Sequence, residues 1–255
     1  MIRIARAPEP AALAPVRNQR LAAARDAALQ GTKFDFKEYD LVKKDLAAMQ
    51  HNKCCYCEKR EEQAKYRDVE HYRPKSLYWW LTWTWENLLF ACIDCNREQK
   101  RDQFPLEPGC TPLVPEQTPP ATERPLVIDP SDPSIEPTRE IVFRPVKIQG
   151  KQRWVPQGVS DRGRETIAVC GLDRPNLLDF YADHVISRVR PKLEGFFVAK
   201  RAGDARVAVE AWDTARRGLL ARAQPFRALS HDALNVLVAP SVRDEYRLTL
   251  DRPAP

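Results

Sequence analysis

The stretch CIDCNREQK, residues 92–100, decides how this chain is read, together with EHYRPKS at residues 70–76. A C-x-x-C pair followed at once by Asn is more than a metal knuckle requires. A structural tetrahedral site asks only for its ligands, so Asn96 is surplus to it. Asp94 is placed to cap a short helix over CNREQKRDQ, which Phe104-Pro105 ends. Upstream, DVEHYRPKS alternates like a strand, with Val69 and His71 on one face and Glu70 and Tyr72 on the other. WENLLFAC is a second short apolar strand, and it runs directly into the knuckle.

A matching knuckle lies earlier. CCYCE supplies Cys54 and Cys57, and a gap of 34 residues separates Cys57 from Cys92. Two C-x-x-C pairs offer four thiolates, enough for closed tetrahedral zinc. Cys55 in place of Cys54 gives C-x-C spacing, a poorer fit, and buried reduced cysteines or a redox pair are the competing readings. Cys110 and Cys170 stand alone and read as a surface or core thiol each. Seven cysteines, four of them in close pairs, suit a reducing compartment with bound metal better than a disulfide framework.

The rest of the chain sets bounds. Its 255 residues are enough for one or two domains with a real core. The net charge of +6 and the isoelectric point near 9.0 admit an anionic partner, but the charge is spread out and argues mostly for a solvated surface. No apolar run reaches the roughly 18 residues of a membrane span. The N-terminus lacks the apolar core of a signal peptide, so a cytoplasmic protein is expected. The order of elements is α+β. Residues 1–50 read as a helical segment after an extended start, with Tyr39, Leu41, Val42, Leu46 and Met49 near one helical face. Residues 51–106 hold the cysteines and most of the aromatics. Residues 107–158 begin as a linker or extended wrap, because ten prolines between Pro105 and Pro137 forbid regular helix or central strand. EIVFRPVKIQGKQRWVP then reads as a hairpin turning at Gly150. Residues 159–255 are helical, punctuated at Gly171, Pro175, Gly203 and Pro225.

The combination CxxCE, EHYRPKS, WENLLFACxxCN and K…FPL resembles the HNH nuclease motif, a ββα-metal fold supported by zinc knuckles. It is most similar to the HNH nuclease subunit of Septu-type and retron-associated anti-phage systems. PLVIDP at 125–130 and GLDRPNLL at 171–178 extend the resemblance over most of the chain, most tightly over residues 50–106. The resemblance implies that His71 is the general base and that Glu70 and Asn96 are the protein ligands of a catalytic divalent ion. It implies that Asn87 orients His71 through a hydrogen bond. It also implies an ABC/SMC-like ATPase partner docked by the helical C-terminal region. The motif often has Asp where Glu70 stands, and its name expects His where Asn96 stands. A carboxylate and an amide oxygen are hard ligands, which favours Mg²⁺ or Mn²⁺.

The chemistry stands without the family. Phosphodiester hydrolysis needs an activated water and neutralisation of developing charge, and His serves as a base near neutral pH. Arg73, Lys75, Arg97 and Lys100 flank the motif and are candidate phosphate contacts, or solvated charges. Trp79, Trp80, Trp83 and Trp85 can stack on bases, but their spacing favours packing on a small core. His51, His184 and His231 read as structural. Two functions compete: a metal-dependent endonuclease acting on DNA, with RNA as a variant target, and a non-catalytic zinc module that binds nucleic acid or protein.

Overall fold

The computed structural model describes residues 1–254. The two segments read as strands form an antiparallel pair, β1 (Arg67–His71) and β2 (Leu88–Cys92), in register from Arg67↔Cys92 to His71↔Leu88. A seven-residue π-helix, Asp94–Lys100, follows β2 directly. β2 is buried along its whole length because both faces of this small sheet are covered. Val69, Leu88 and Phe90 pack on one side against Leu13 of α1 (Leu13–Gln30) and Leu46 of α2 (Lys43–Met49), with Trp83 and Trp85. Leu89 and Ala91 face the other way, into a larger core that contains the cysteines and most of the C-terminal helices.

The Pro-rich stretch packs as an extended wrap. Gln117 and Val127 offer their carbonyls to Trp80 Nε1 (2.9 Å) and Tyr72 Oη (2.7 Å), and Ile128 N–H donates to Thr166 Oγ1 at 2.8 Å. After α3 (Pro137–Glu140), the hairpin β3 (Ile141–Ile148) and β4 (Lys151–Gly158) turns at Gln149 and Gly150, both with positive φ, where Gly150 carries no steric cost. Helices α4 (Asp161–Cys170), α5 (Pro175–His184), α6 (Arg190–Arg201), α7 (Ala205–Leu220), α8 (Arg227–Leu237) and α9 (Pro240–Glu245) complete the chain. α5 and α6 are one continuous rod, joined by a π turn over Val185–Val189. Pro191, just beyond it, has no N–H to give to the carbonyl of Ser187, and a local change of hydrogen-bond pattern accommodates this.

Two expectations change here. Leu41 does not join the face of Val42 and Leu46: a 3₁₀ turn over Tyr39–Val42 rotates it outward, and it is 36% exposed. Asp94 does not cap the helix after the knuckle; it is the helix's first residue, and its side chain pairs with Lys59 and Arg174. The helical region after residue 159 packs against the cysteine-bearing segment. Its side chains share one core with the cysteines, Lys53 Nζ donates to the carbonyls of Arg222 (2.6 Å) and Gln224 (3.1 Å), and Glu58 accepts from Arg227 N–H (2.6 Å). Trp80, Trp83 and Trp85 are buried, in agreement with packing. Among the described residues no helix is long and apolar enough to cross a membrane.

Candidate functional site

The four cysteines of the two knuckles meet. The Sγ atoms of Cys54, Cys57, Cys92 and Cys95 all lie within 4.8 Å of one another, and Cys57 and Cys92 are 3.9 Å apart. A tetrahedron with Zn–S bonds of about 2.3 Å needs neighbouring sulfurs roughly 3.8 Å apart, so the set fits a zinc ion with no position left open. Cys54 rather than Cys55 belongs to it; Cys55 is buried beside the cluster, and burial pushes its thiol up. Arg174 Nη1 donates to Cys95 Sγ at 3.5 Å, an interaction that offsets the charge of four thiolates.

Beside this centre, a cavity of about 400 Å³ is bordered by Tyr39, Asp68, Glu70, His71, Lys75 and Asn96, with Arg97, Arg101 and Asp102 at its rim. His71 ends β1, buried, with its ring edge-on to Tyr39 at 4.6 Å. Its Nε2 is 3.0 Å from the carbonyl of Thr82. A carbonyl only accepts, so Nε2 carries the hydrogen and Nδ1 is left as the basic nitrogen. Burial, and secondarily Lys75, lowers the His71 pKa to about 3, so the imidazole is neutral at physiological pH.

Asn87 makes no hydrogen bond to His71. Its Oδ1 accepts from Arg73 N–H at 2.8 Å, and its Nδ2 donates to the carbonyls of Arg73 (3.0 Å) and Leu81 (3.1 Å). It pins the loop between β1 and β2, and that loop presents Thr82 to the imidazole. The direct hydrogen bond to His71 expected of Asn87 is absent; its side chain bonds loop backbone instead. Asn87 lines a larger cavity, about 860 Å³, behind this loop. Asp68, His71 and Asn96 do not line that cavity; they meet at the smaller one.

Glu70 is engaged elsewhere. Its Oε1 lies 2.7 Å from Lys100 Nζ and accepts from Tyr56 Oη at 3.0 Å, all three buried. Burial raises its pKa, against the pull of Lys100. The carboxylate in contact with Asn96 is that of Asp68: Asn96 Nδ2 donates to Asp68 Oδ2 at 2.8 Å.

The four candidate phosphate contacts divide. Arg73 is buried in an ion pair with Glu123 (2.8 Å), and Lys100 is fully buried, donating also to the His71 carbonyl at 3.2 Å. Neither is available to a polyanion, because removing either from its partner leaves a buried carboxylate alone. Lys75 borders the cavity, half-buried, 4.9 Å over the Tyr39 ring, and Arg97 is exposed. Asp68 and the Thr82 carbonyl are the participants that sequence reasoning missed. Asp68 stands two residues before Glu70 and so shares its strand face, a signal that was present; nothing marks a backbone carbonyl in a sequence.

Fold and site together define an α+β protein with a four-cysteine cluster of metal-binding geometry beside a polar, histidine-containing cavity. Over part of its length the chain is similar to Septu protein PtuB of Bacillus mycoides (strain KBAB4), with 34% identity over 128 residues, 42% of this chain and 43% of that protein. It is also similar to Septu protein PtuB of Bacillus thuringiensis, with 42% identity over 74 residues, 29% of each. The chain thus spans less than half the length of the curated relatives it matches. No protein-family model matches it, and no solved structure matches it.

Proposed function

We propose that this chain is a metal-dependent endonuclease of the HNH type, hydrolysing phosphodiester bonds in DNA as the effector of an anti-phage system controlled by an ATPase partner. The observation that carries the reading is the tautomer of His71. With Nε2 donating to Thr82, the neutral imidazole has Nδ1 free to take a proton from water. The strand–strand–helix order and the partial similarity to Septu PtuB proteins support it.

In this reading the zinc centre holds the start of the Asp94–Lys100 helix, and with it Asn96, beside the β1 strand. Asn96 has a hard amide oxygen suited to Mg²⁺ or Mn²⁺, and the Glu70 carboxylate, which borders the same cavity, suits the same ions. A bound divalent ion supplies charge neutralisation at the scissile phosphate and the leaving oxygen. His71 accepts the proton of the attacking water, Thr82 keeps its ring in place, and Lys75 and Arg97 hold the polyanion. Phe180, Ile186, Val198 and Val207 are exposed apolar side chains of the helical region and support placing the ATPase there.

The test is cleavage by the active complex. His71→Ala should lower the rate by about 10² to 10⁴ with zinc content and nucleic-acid binding unchanged. Asn96→Ala should lower it too, but extra Mg²⁺ or Mn²⁺ should restore part of it, and should not restore His71→Ala. A His71→Ala complex that cuts DNA as fast as wild type overturns the nuclease reading and leaves the zinc module that binds without cutting. Cleavage of RNA with DNA intact reassigns the substrate only.

A further inference from the structure

The Asn96 carboxamide is oriented by a residue outside the motif. Its Nδ2 is 2.8 Å from Asp68 Oδ2 and 3.4 Å from the Val69 carbonyl. Both are acceptors, so only the NH₂ end of the amide can face them, and the oxygen is turned away. Asp68 is itself clamped by the fork of Arg97, with Nε 2.7 Å from Oδ2 and Nη2 2.9 Å from Oδ1. The Arg97 side chain is 61% exposed while that of Asp68 is 14% exposed. Successive residues 96 and 97 reach the same carboxylate because the helix here is a π-helix. Its wider turn sets neighbouring side chains closer in direction than an α-helix does. The carboxylate next along the strand, Glu70, is held on Lys100 and makes no such contact.

Resting on the nuclease reading above, we propose that Asp68 is the positioning residue of the ion site: it fixes the Asn96 amide so that the oxygen, not the NH₂ group, is presented to the divalent ion. An amide free to flip presents a donor to a cation in one of its two orientations, which repels it. Outer contacts that orient a metal ligand are typically worth about 10- to 100-fold in affinity.

The test uses the full chain with its zinc in place and Mn²⁺ as the probe, with free Mn²⁺ read by electron paramagnetic resonance. Asp68→Asn should weaken Mn²⁺ binding by about 10- to 100-fold, because Asn accepts either orientation of its neighbour. Zinc content should be unchanged. Asn96→Asp added to Asp68→Asn should restore binding, since a carboxylate presents oxygen whichever way it turns. Unrestored binding in that double variant makes Asp68 a direct ligand and overturns the positioning role. So does wild-type affinity in Asp68→Asn when Asn96→Ala has lost it, an outcome that leaves the ion site and the nuclease reading intact. A wild-type chain that binds no Mn²⁺ overturns both.

Discussion

Lys100 shows how far a single residue can depart from what its sequence position suggests. It stands in a polar helix among Arg97, Gln99 and Arg101, yet its side chain is fully buried, with its ammonium 2.7 Å from Glu70. Breaking a buried ion pair from one side strands the other charge, at a cost of about 3–5 kcal/mol. Lys100→Met should therefore lower the unfolding free energy in urea by that order. Glu70→Gln in the same background should recover much of it, because the stranded carboxylate is gone and Tyr56 Oη keeps an acceptor. If Lys100→Met is as stable as wild type, the pair carries no structural weight and Glu70 is free for a metal. Sequence reasoning named Glu70, His71 and Asn96 together, and the three border one cavity. It could not rank Glu70 against Asp68, because the choice depends on which carboxylate the following helix reaches.

At the scale of elements, α5 and α8 are joined by a buried polar contact. His184, at the end of α5, has Nε2 2.8 Å from Ser230 Oγ in α8, and its ring packs on Phe226. Burial lowers its pKa to about 4. The sign follows from linkage: the unfolded chain takes up a proton below about pH 6.5 and the folded chain does not until about pH 4, so stability falls as pH falls through that window. From pH 7 to pH 5 the loss from this residue is about 2 kcal/mol. His184→Gln keeps a side-chain partner for Ser230 and removes the titration. Urea unfolding should show a slope with pH that is smaller for the variant by about this amount; equal slopes for the two proteins refute it. The hairpin at Gly150 and the helix breaks at Gly171 and Gly203 were legible, because turn residues act locally. The π turn before Pro191 was not, because a proline inside a helix also reads as a break.

On the scale of the whole molecule, one core spans the cysteine centre and the helical region. A chain ending at residue 159 should not fold on its own. It should lose its soluble fold and any zinc held by the cysteines, read by circular dichroism and elemental analysis, since the partners of Cys95, Glu58 and Lys53 are gone. A truncated chain that stays folded and keeps one zinc would make the helical region a separate unit. Surface variants are the sounder probe of the proposed docking face: Ile186→Asp and Val198→Asp sit on exposed positions and should reduce ATPase binding tenfold or more with the fold intact. Unchanged copurification with the ATPase places the docking face elsewhere.

The four-cysteine cluster, the strand–strand–helix order, the wrap, the hairpin and the helical C-terminal half were legible before any fold was known. Each rests on spacing or on local backbone chemistry, C-x-x-C knuckles, alternation with period two, proline and glycine, and needs no knowledge of distant neighbours. The rest came from the packed arrangement of the chain. It set Lys100 and Arg73 inside, paired with Glu70 and Glu123, and handed the orientation of Asn96 to Asp68 and that of His71 to the Thr82 carbonyl. It also merged the C-terminal helices with the metal centre. Those outcomes turn on which side chains lose water and which partners then lie within hydrogen-bond reach. Such partners are separated by up to 171 positions along the chain, and only the folded arrangement sets their distances.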